Sequence, residues 1–379
     1  MKVLFLESFY GGSHKDFAQG FCGYSEHEVT VVSLPPRFWK WRMRGAALQF
    51  VKQAQDLSSY DVIFATDLMD LTDFKGLAGP DCPPVVFYFH ENQLSYPLAP
   101  NEKRDFHLGF TNIVSAAAAD AVVFNSCFHR DDFFNAARKL LRKMPDTRPG
   151  WLLDDIEAKT CVIYPGIRLP KGRTPGISGS GLDRPLIVWN HRWEYDKNPD
   201  LFFRVLGRLK EKGVGFYLAL LGEQYDKVPQ VFERAKDTFR DEILVAGYQA
   251  SGEVYREWLS KGRVVVSTAI QENFGIAVME ATAYGCFPLL PDRLSYPELV
   301  PERFRRDVIY SSEKMLLEKL TTALTTADGL VPARRALAQN AARFSWEAMI
   351  GEYDRLLAET ARGKKAGTVK TSSRGNCKV

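Results

Sequence analysis

The sequence predicts an α/β protein with two halves, each built on a parallel β-sheet whose two faces are covered by helices. Short apolar runs rich in β-branched residues recur along the chain, and segments of helical length separate them. One stretch with few apolar residues interrupts this alternation near the middle. With 379 residues, the chain is long enough for two domains of ordinary size.

Each apolar run is predicted to be a strand, because its length and composition favour a strand over a piece of a buried helix. Before the interruption the predicted strands are Val3–Ser8, Glu28–Ser33, Val62–Thr66, Val85–Phe89, Ala121–Asn125 and Val162–Tyr164. After it they are Leu186–Asn190, Phe216–Leu221, Ile243–Ala246, Val264–Thr268 and Phe287–Leu290.

The interruption, residues 168–185, is rich in Gly, Pro and Ser and is predicted to be a linker. It separates an N-terminal domain, residues 1–167, from a C-terminal domain, residues 186–345. A last helix, residues 346–361, is expected to pack back on the N-terminal domain, and the basic tail, residues 362–379, to be disordered. A crevice between two such domains is the expected place for a ligand.

The composition excludes several classes of protein. The net charge of +4 is too small for a polycation, so a nucleic-acid contact would depend on clustered charge. The six cysteines include no Cys-x-x-Cys pair and histidine is sparse, so neither a zinc site nor a disulfide framework is predicted. No signal-peptide pattern and no apolar run of membrane-spanning length occur, so a cytoplasmic protein without a membrane contact is expected.

Two carboxylates eight positions apart mark the segment after the valine-rich strand of the C-terminal half. Glu272 precedes Asn273, Phe274 and Gly275, and Glu280 follows them in an apolar helix pattern, about two turns along and on roughly the same face. Backbone N–H groups at such a helix start bind anions, whereas carboxylates are suited to accepting hydrogen bonds from sugar hydroxyls. The alternative is an ordinary surface helix with two solvated glutamates.

Two glycines, Gly11 and Gly12, follow the first predicted strand and precede Ser13 and His14. Glycines at this position let the backbone approach a bound group closely, although a tight turn without a ligand is equally consistent.

The fourth predicted strand ends in His90, Glu91 and Asn92, at the end of a buried strand where α/β proteins place their sites. His90 could hydrogen-bond a sugar hydroxyl or polarise a reacting oxygen. The alternative is a structural histidine with satisfied partners.

Two cations, Arg192 and Lys197, lie five residues apart in the loop after the seventh strand, before Pro199, which suits the first turn of a helix. Together they could neutralise a departing diphosphate. They could instead pair with Glu194 and Asp196 as a surface network, and the spacing does not decide between the two.

The segment 35–44 interleaves four cations with three aromatic residues, a composition that suits single-stranded nucleic acid. Its members are Arg37, Phe38, Trp39, Lys40, Trp41, Arg42 and Arg44. The alternative is the start of an amphipathic helix with its aromatic residues in the core. A second basic stretch, residues 138–148, could extend such a surface or be a solvated face.

Several motifs are missing from the sequence. No Asp-x-Asp follows an early strand, so a nucleotide sugar held through a metal is not indicated. The glycine-rich loops of P-loop NTPases and of dinucleotide-binding dehydrogenases are also absent.

Together these segments resemble retaining glycosyltransferases of family 4, which have the GT-B fold. The matching residues are the Glu-x7-Glu pair, the Arg/Lys pair, the glycine loop and the histidine: Glu272, Glu280, Arg192, Lys197, Gly11, Gly12 and His90. Longer blocks resemble the tRNA-queuosine α-mannosyltransferase family more closely: FYGGSH at 9–14, FHENQLSYP at 89–97, ADAVVFNS at 119–126, HRWEYDKNP at 191–199 and RLSYPELVP at 293–301.

This resemblance implies two Rossmann-like domains facing across a central cleft, and metal-independent, retaining transfer of mannose from GDP-mannose to the cyclopentene diol of queuosine in tRNA-Asp. It implies no cofactor. Arg192 and Lys197 would stabilise the leaving GDP, Glu280 would bind its ribose, and Glu272 and His90 would contact the mannose. The backbone at Asn273, Phe274 and Gly275 and the glycine loop would also bind the donor.

On the acceptor side the expected contacts come from the polar strand ends and from the basic aromatic segment. They are Ser13, His14, Glu91, Asn92, Arg37, Trp39, Lys40, Trp41, Arg42 and Arg44. Two rival functions stay open: a family 4 enzyme with a small-molecule, lipid or polysaccharide acceptor, and a non-catalytic protein that binds nucleotide or RNA on the same scaffold.

Overall fold

The computed structural model describes residues 1–54, 56–98, 103–170, 181–224, 228–326 and 329–363. The chain divides into an N-terminal unit, Met1–Gly166 together with the helix that starts at Trp346, and a C-terminal unit, Ile167–Ser345. Most of the predicted linker and nearly all of the predicted basic tail lie outside the described residues.

Each unit contains one six-stranded sheet in which every strand pair is parallel. The strands of the N-terminal unit are β1 Lys2–Glu7, β2 Glu28–Ser33, β3 Val62–Thr66, β4 Val85–Phe89, β5 Ala121–Phe124 and β6 Thr160–Val162. Those of the C-terminal unit are β7 Leu186–Trp189, β8 Tyr217–Leu220, β9 Ile243–Ala246, β10 Val264–Val266, β11 Phe287–Pro291 and β12 Ile309–Tyr310. The strand orders are β2-β1-β3-β4-β5-β6 and β12-β11-β10-β7-β8-β9.

Helices connect the strands and cover both faces of each sheet. The N-terminal unit contains α1 Gly12–Tyr24, α2 Trp39–Gln53, α3 Leu71–Ala78, α4 Phe106–Ala118, α5 Cys127–Leu141, α6 Trp151–Glu157 and the C-terminal helix α15 Trp346–Ala361. The C-terminal unit contains α7 Pro199–Glu211, α8 Val231–Thr238, α9 Gly252–Lys261, α10 Ile276–Ala283, α11 Tyr296–Leu299, α12 Glu302–Val308, α13 Glu313–Thr325 and α14 Val331–Ala341.

The sheet of the N-terminal unit is apolar on both faces, as its continuous apolar runs predict. Side chains alternate along β1, so Val3 and Phe5 pack with α1 and α15 on one face. Leu4 and Leu6 pack on the other face with α2 to α6. The predicted α/β class with two parallel sheets is therefore confirmed.

The eleven predicted strands are all present, with small differences at their ends. β6 begins two residues before its predicted start, because Thr160 already pairs with Val122 of β5. The two-residue β12 was not predicted, since so short a strand leaves no periodic signal.

Capping residues start the helices that follow the polar strand ends. Asp70 accepts hydrogen bonds from the backbone of Thr72 and Asp73 at the start of α3. Ser126 accepts one from His129 in α5, and Asn198 caps α7, whose first residue is Pro199 as predicted. These caps fix where each loop ends, and so where its polar side chains lie.

The C-terminal helix α15 belongs to the N-terminal unit. Its Asp354 accepts a 2.6 Å hydrogen bond from Ser25, and its Tyr353 hydroxyl donates to the backbone oxygen of Ile163. The Trp346 ring lies so close to Gly20 and Gly166 that a Cβ on either would clash with it at 2.1 Å. No helix in the described part of the chain is long and apolar enough to cross a membrane.

Candidate active site

In the N-terminal unit, the neighbouring strands β1, β3 and β4 end in Glu7, Asp67 and His90, and His14 joins them from the first turn of α1. His14 Nδ1 lies 3.2 Å from Glu7 Oε1, and His90 Nε2 lies 3.6 Å from Glu7 Oε2. The two imidazole rings are in contact, with centroids 4.0 Å apart and their planes tilted by 32°. One carboxylate therefore holds two histidines, and we call Glu7, His14, Asp67 and His90 the N-terminal polar cluster.

The protonation states in this cluster follow from burial and from neighbouring charge. Burial would raise the pKa of Glu7, but His14 and His90 hold it well below its ordinary value. Burial would lower the pKa of His14, but the Glu7 carboxylate raises it. Burial and charged His14 lower the pKa of His90 to about 4. The cluster therefore holds a charged carboxylate, a histidine that favours its charged form, and a neutral histidine.

Hydrogen bonds fix the backbone of His90 on both sides. Its N–H donates to Asp67 Oδ1 at 2.8 Å, and its oxygen accepts from Asn125 Nδ2 at 2.9 Å. Asn125 in turn holds buried His129 through a 2.9 Å contact to Nδ1. Burial, and then the charge of Glu91, raise the pKa of Asp67 well above its ordinary value. The peptide at His90 is therefore held rigidly at the end of β4.

The structure gives part of the glycine loop a local explanation. A Cβ on Gly11 would lie 2.5 Å from Pro36, so this position requires glycine for packing alone. Gly12 and Ser13 are exposed at the start of α1. Contacts of these three residues with a ligand stay predictions.

The loop after His90 is held by its own polar side chains. Asn92 is buried, and its oxygen accepts hydrogen bonds from Leu94 and Ser95, so it shapes the loop. Glu91 is half-buried and accepts a 2.8 Å hydrogen bond from Gln93. Glu91 remains nearer to solvent than Asn92, and acceptor contacts from either residue stay predictions.

In the C-terminal unit, the loop after β7 and the loop after β10 meet at Lys197. Lys197 Nζ lies 3.1 Å from Asp196 Oδ2 and 3.4 Å from Glu272 Oε2, and it donates a 2.8 Å hydrogen bond to the Gln271 oxygen. Burial would lower the pKa of Lys197, but Glu272 and Asp196 raise it. This ammonium group is therefore buried and favours its charged form. We call Arg192, Asp196, Lys197 and Glu272 the C-terminal polar cluster.

Arg192 is nearer to solvent than Lys197, with 41% of its side chain exposed, and its guanidinium lies 3.1 Å from Glu194. Burial would raise the pKa of Asp196, but the charges of Lys197 and then Arg192 hold it below its ordinary value. The ion pairs with Glu194 and Asp196 that the alternative interpretation expected do form. The pair of Lys197 with Asp196 is buried, however, so the two cations are not simply a surface network.

The Glu272 loop ends at Gly275, whose φ of +95° is in the left-handed region. A Cβ there would lie 3.0 Å from the Tyr296 ring. Because the helix α10 starts only after this glycine, Glu280 is its fifth residue. The expected position of about two turns along is therefore wrong, and Glu280 lies half-buried in the second turn. Asn273 and Phe274 are buried in the loop before Gly275.

The basic aromatic segment forms the start of α2, but its two tryptophans have different surroundings. Trp39 is half-buried and packs against Met43, Leu68 and Leu108, whereas 76% of Trp41 is exposed. The alternative of an aromatic residue in the core therefore holds for Trp39, and a nucleic-acid contact of Trp41 stays a prediction. Of the cations, Arg37, Lys40 and Arg44 are exposed, and Arg42 is half-buried.

Glu7, His14 and His90 are also the right residue types for a metal, and their ligand atoms lie within 4.8 Å of one another. Metal independence stays a prediction. The five cysteines in the described part of the chain are free, as expected.

Sequence reasoning did not select Glu7, Asp67 or Asp196 as site residues. Glu7 and Asp67 each stand at the carboxyl end of a buried strand, which is the signal that selected His90. Asp196 adjoins Lys197 directly. Only the spatial order of β1, β3 and β4 reveals that Glu7 lies against both histidines.

Comparison with known proteins agrees with the long sequence blocks. Residues 2–167 match the family described as tRNA-queuosine alpha-mannosyltransferase N-terminal, and residues 172–344 match glycosyl transferases group 1. A Drosophila melanogaster protein named tRNA-queuosine alpha-mannosyltransferase is 36% identical over 329 residues, which are 84% of this chain and 85% of that protein. The chain belongs to the tRNA-queuosine alpha-mannosyltransferase family.

Solved structures share the fold of this family member at low sequence identity. Sucrose-phosphate synthase from Thermosynechococcus elongatus superposes with a TM-score of 0.72 at 14% identity, covering 95% of this chain and 99% of that one. Anabaena HepE in complex with UDP and glucose gives a TM-score of 0.63 at 17% identity, covering 94% and 99%. The fold is thus that of GT-B glycosyltransferases. The family match and the Drosophila relative show that the protein is a glycosyltransferase.

Proposed function

We propose that this glycosyltransferase moves mannose from GDP-mannose to the cyclopentene diol of queuosine in the anticodon loop of tRNA-Asp, with retention and without a metal ion. The sugar and the acceptor nucleoside follow the name of the Drosophila relative. The observation that carries the proposal is the C-terminal polar cluster, in which a buried lysine and an exposed arginine adjoin a carboxylate and a helix start.

The C-terminal polar cluster suits a leaving diphosphate. Lys197 keeps its charge because Glu272 and Asp196 raise its pKa, and Arg192 presents a guanidinium toward solvent. The backbone N–H groups at the start of α10 add partial positive charge. Preorganised cations and dipoles stabilise charge that develops in a transition state. They would supply the positive charge that a metal ion supplies elsewhere, which supports metal independence.

The two glutamates of the motif take different parts in this proposal. Glu272 Oε2 lies near Lys197, so the cation fixes a carboxylate that can accept hydrogen bonds from mannose hydroxyls. Glu280 lies in the second turn of α10, where it would bind the ribose diol. Neither glutamate would act as a nucleophile. The acceptor hydroxyl would attack the anomeric carbon from the same face that the diphosphate leaves, and an oxygen of the leaving diphosphate would take the hydroxyl proton.

His90 is suited to hydrogen bonding as a neutral imidazole. Because burial and His14 lower its pKa to about 4, its imidazole is uncharged near neutral pH and can both donate and accept. We assign it to a mannose hydroxyl. His14, whose pKa Glu7 raises, would present a charge on the acceptor side, together with Ser13 and Glu91.

The test is incubation of the purified protein with GDP-mannose and queuosine-bearing tRNA-Asp, followed by mass analysis of the nucleosides. A mass increase of one hexose on queuosine, but not on tRNA with unmodified guanosine, supports the acceptor. UDP-glucose in place of GDP-mannose tests the donor, and a chelator tests metal independence. Analysis of the anomer by NMR tests retention.

Arg192→Ala tests the donor site within the same assay. We expect turnover to fall on the order of 10²-fold or more, since one charge-stabilising group is lost. Arg204→Ala is the matched control, because Arg204 is a similarly exposed arginine of the same unit that pairs with Glu313. Equal turnover of the two variants would remove Arg192 from the site. Transfer to a small sugar or lipid without tRNA would favour the first rival function, and donor binding without transfer the second.

A further inference from the structure

The starts of α2 and α4 are neighbours in the N-terminal unit, although Met43 and Phe106 are 63 positions apart in the chain. We call the region where these two helix starts meet the α2–α4 junction. Met43 of α2 and Leu108 of α4 share a small hydrophobic cluster with Leu68. Both helix starts therefore lie at the carboxyl-end edge of the sheet, where β3 leads into Leu68.

On the α2 side of the α2–α4 junction, two aromatic rings are exposed to solvent. Phe38 is 70% exposed and Trp41 is 76% exposed. Phe38 has a φ of +55°, a left-handed conformation that is strained for a bulky residue. Such strain persists only where the surroundings enforce it, and it is concentrated at functional positions. A folded helix start that holds an aromatic ring in solvent through a strained backbone indicates a ligand for that ring.

The α4 side presents a second pair of aromatic residues one helical turn apart. Phe106 is 49% exposed and Phe110 is 37% exposed. Lys143 lies over the Phe106 ring at 5.2 Å from its centroid. Two exposed phenylalanine rings at positions i and i+4, one of them in a cation–π contact with a lysine, form an apolar patch of the kind that binds a partner.

Basic residues accompany the rings. Arg37 and Lys40 flank Phe38 and are exposed, and Arg44 is exposed at 3.5 Å from Asp70. On the α4 side the cation is Lys143, over the Phe106 ring. An anionic partner that also offers flat apolar faces matches this chemistry.

The α2–α4 junction also reaches the N-terminal polar cluster. Phe9 packs against the cluster of Met43, Leu68 and Leu108, and its ring lies 5.8 Å from that of His14 in an edge-on arrangement. A ligand on the exposed rings would therefore extend toward His14.

We propose that Phe38, Trp41, Phe106 and Phe110 form one surface on which unpaired bases of the RNA acceptor stack, while Trp39 is a structural residue. The proposal rests on the proposed function, because it takes the acceptor to be an RNA loop. It goes beyond the basic segment by adding two phenylalanines of α4, Phe106 and Phe110, and by excluding one tryptophan. The surrounding lysine and arginine side chains hold the phosphates.

The test measures binding of a fluorescently labelled tRNA-Asp anticodon stem-loop to full-length variants, together with mannose transfer. Trp41→Ala and Phe106→Ala should each weaken binding roughly 5- to 100-fold, the range of one lost base stack. Both should raise KM for tRNA and leave KM for GDP-mannose unchanged. Trp41→Phe should restore most of the binding, since a phenyl ring also stacks. These side chains are exposed, so the variants should keep the wild-type melting temperature.

Tyr24→Ala is the matched control, because Tyr24 is a partly exposed aromatic residue of α1, which packs on the opposite face of the sheet. Trp39→Ala should lower the melting temperature, as expected for a packed residue. Wild-type binding by both Trp41→Ala and Phe106→Ala would overturn the stacking surface and leave the proposed function standing. A wild-type protein that neither binds nor modifies tRNA, but binds phosphatidylserine vesicles, would overturn both.

Discussion

The two polar clusters occupy the same position on two similar sheets, but they use opposite charge arrangements. In the N-terminal cluster one buried carboxylate, Glu7, lies between His14 and His90. In the C-terminal cluster one buried cation, Lys197, lies between Asp196 and Glu272. The carboxyl ends of parallel strands thus provide only a place for a site, and the side chains decide its chemistry.

The difference has a consequence for pH dependence. Lys197 stays charged around neutral pH, because Glu272 and Asp196 raise its already high pKa. The histidines of the other cluster can change protonation nearer to neutrality, since His14 and His90 shift in opposite directions. We therefore expect the donor-binding chemistry to be insensitive to mild pH change and the N-terminal cluster to be sensitive.

The largest expected effect comes from removing the buried cation. Lys197→Met should reduce transfer on the order of 10³-fold, because it removes a charge from the diphosphate site. It should also lower the free energy of unfolding by about 3–5 kcal/mol, since Asp196 stays buried without its partner. Steady-state kinetics and urea unfolding measure the two losses.

Lys236→Met is the control for this prediction, because Lys236 forms an exposed ion pair with Glu233 at 2.7 Å. Its free energy of unfolding should change by less than about 1 kcal/mol. If both lysine variants lost the same small amount, the contrast between buried and exposed cations would be wrong.

Removing the charge of Glu7 should have the next largest effect. Glu7→Gln keeps the side-chain size but no longer favours charged His14, whose pKa should fall toward its ordinary value. Transfer should fall on the order of 10²-fold if His14 or His90 takes part in the reaction. NMR titration of His14 measures the pKa directly.

The sign of the stability change in this variant follows from the same shift. A raised His14 pKa stabilises the folded state at low pH, and this contribution is lost as pH rises through the folded pKa. In Glu7→Gln the loss should move to lower pH. An unchanged His14 titration would show that Glu7 does not control this histidine.

A smaller effect is expected at the start of α10. Gly275→Ala places a Cβ 3.0 Å from Tyr296 at a φ of +95°, which should cost about 1–3 kcal/mol of folding free energy. Gly207→Ala, in the middle of α7 with open space around the new Cβ, should instead be neutral or stabilising by up to about 1 kcal/mol. Equal melting temperatures for the two variants would contradict the strained helix start.

The effect that is smallest at neutral pH is the pH dependence of stability, which grows only as the solution is acidified. Burial lowers the pKa of three histidines in the folded state: His90 and His191 to about 4 and His129 to about 3. Because the unfolded chain binds these protons first, stability should fall as pH drops from 6.5 toward 4, by at most about 1.4 kcal/mol per pH unit for each histidine. His129→Gln should remove the contribution of His129 to this slope, which urea unfolding across that pH range measures. A slope equal to that of wild type would mean that His129 titrates normally.

The sequence alone determined the α/β class, the positions of the eleven longer strands and the residues at their polar ends, because apolar periodicity and glycine content are local properties of the chain. It also contained the family blocks. The predicted start of α10 after Gly275 agrees with the structure, but the turn count for Glu280 was wrong, because Glu280 is only the fifth residue of that helix.

Only the tertiary structure decided which of these residues touch. Sheet order puts β3 and β4 beside β1 and so brings Glu7 to both histidines, and the loop after β10 brings Glu272 to Lys197, 75 positions away. Packing of α4 on α2 buries one side of Trp39 and leaves Trp41 in solvent. The physical reason is that contacts across strands and helices depend on how distant segments pack, which the spacing of residues along one segment does not encode.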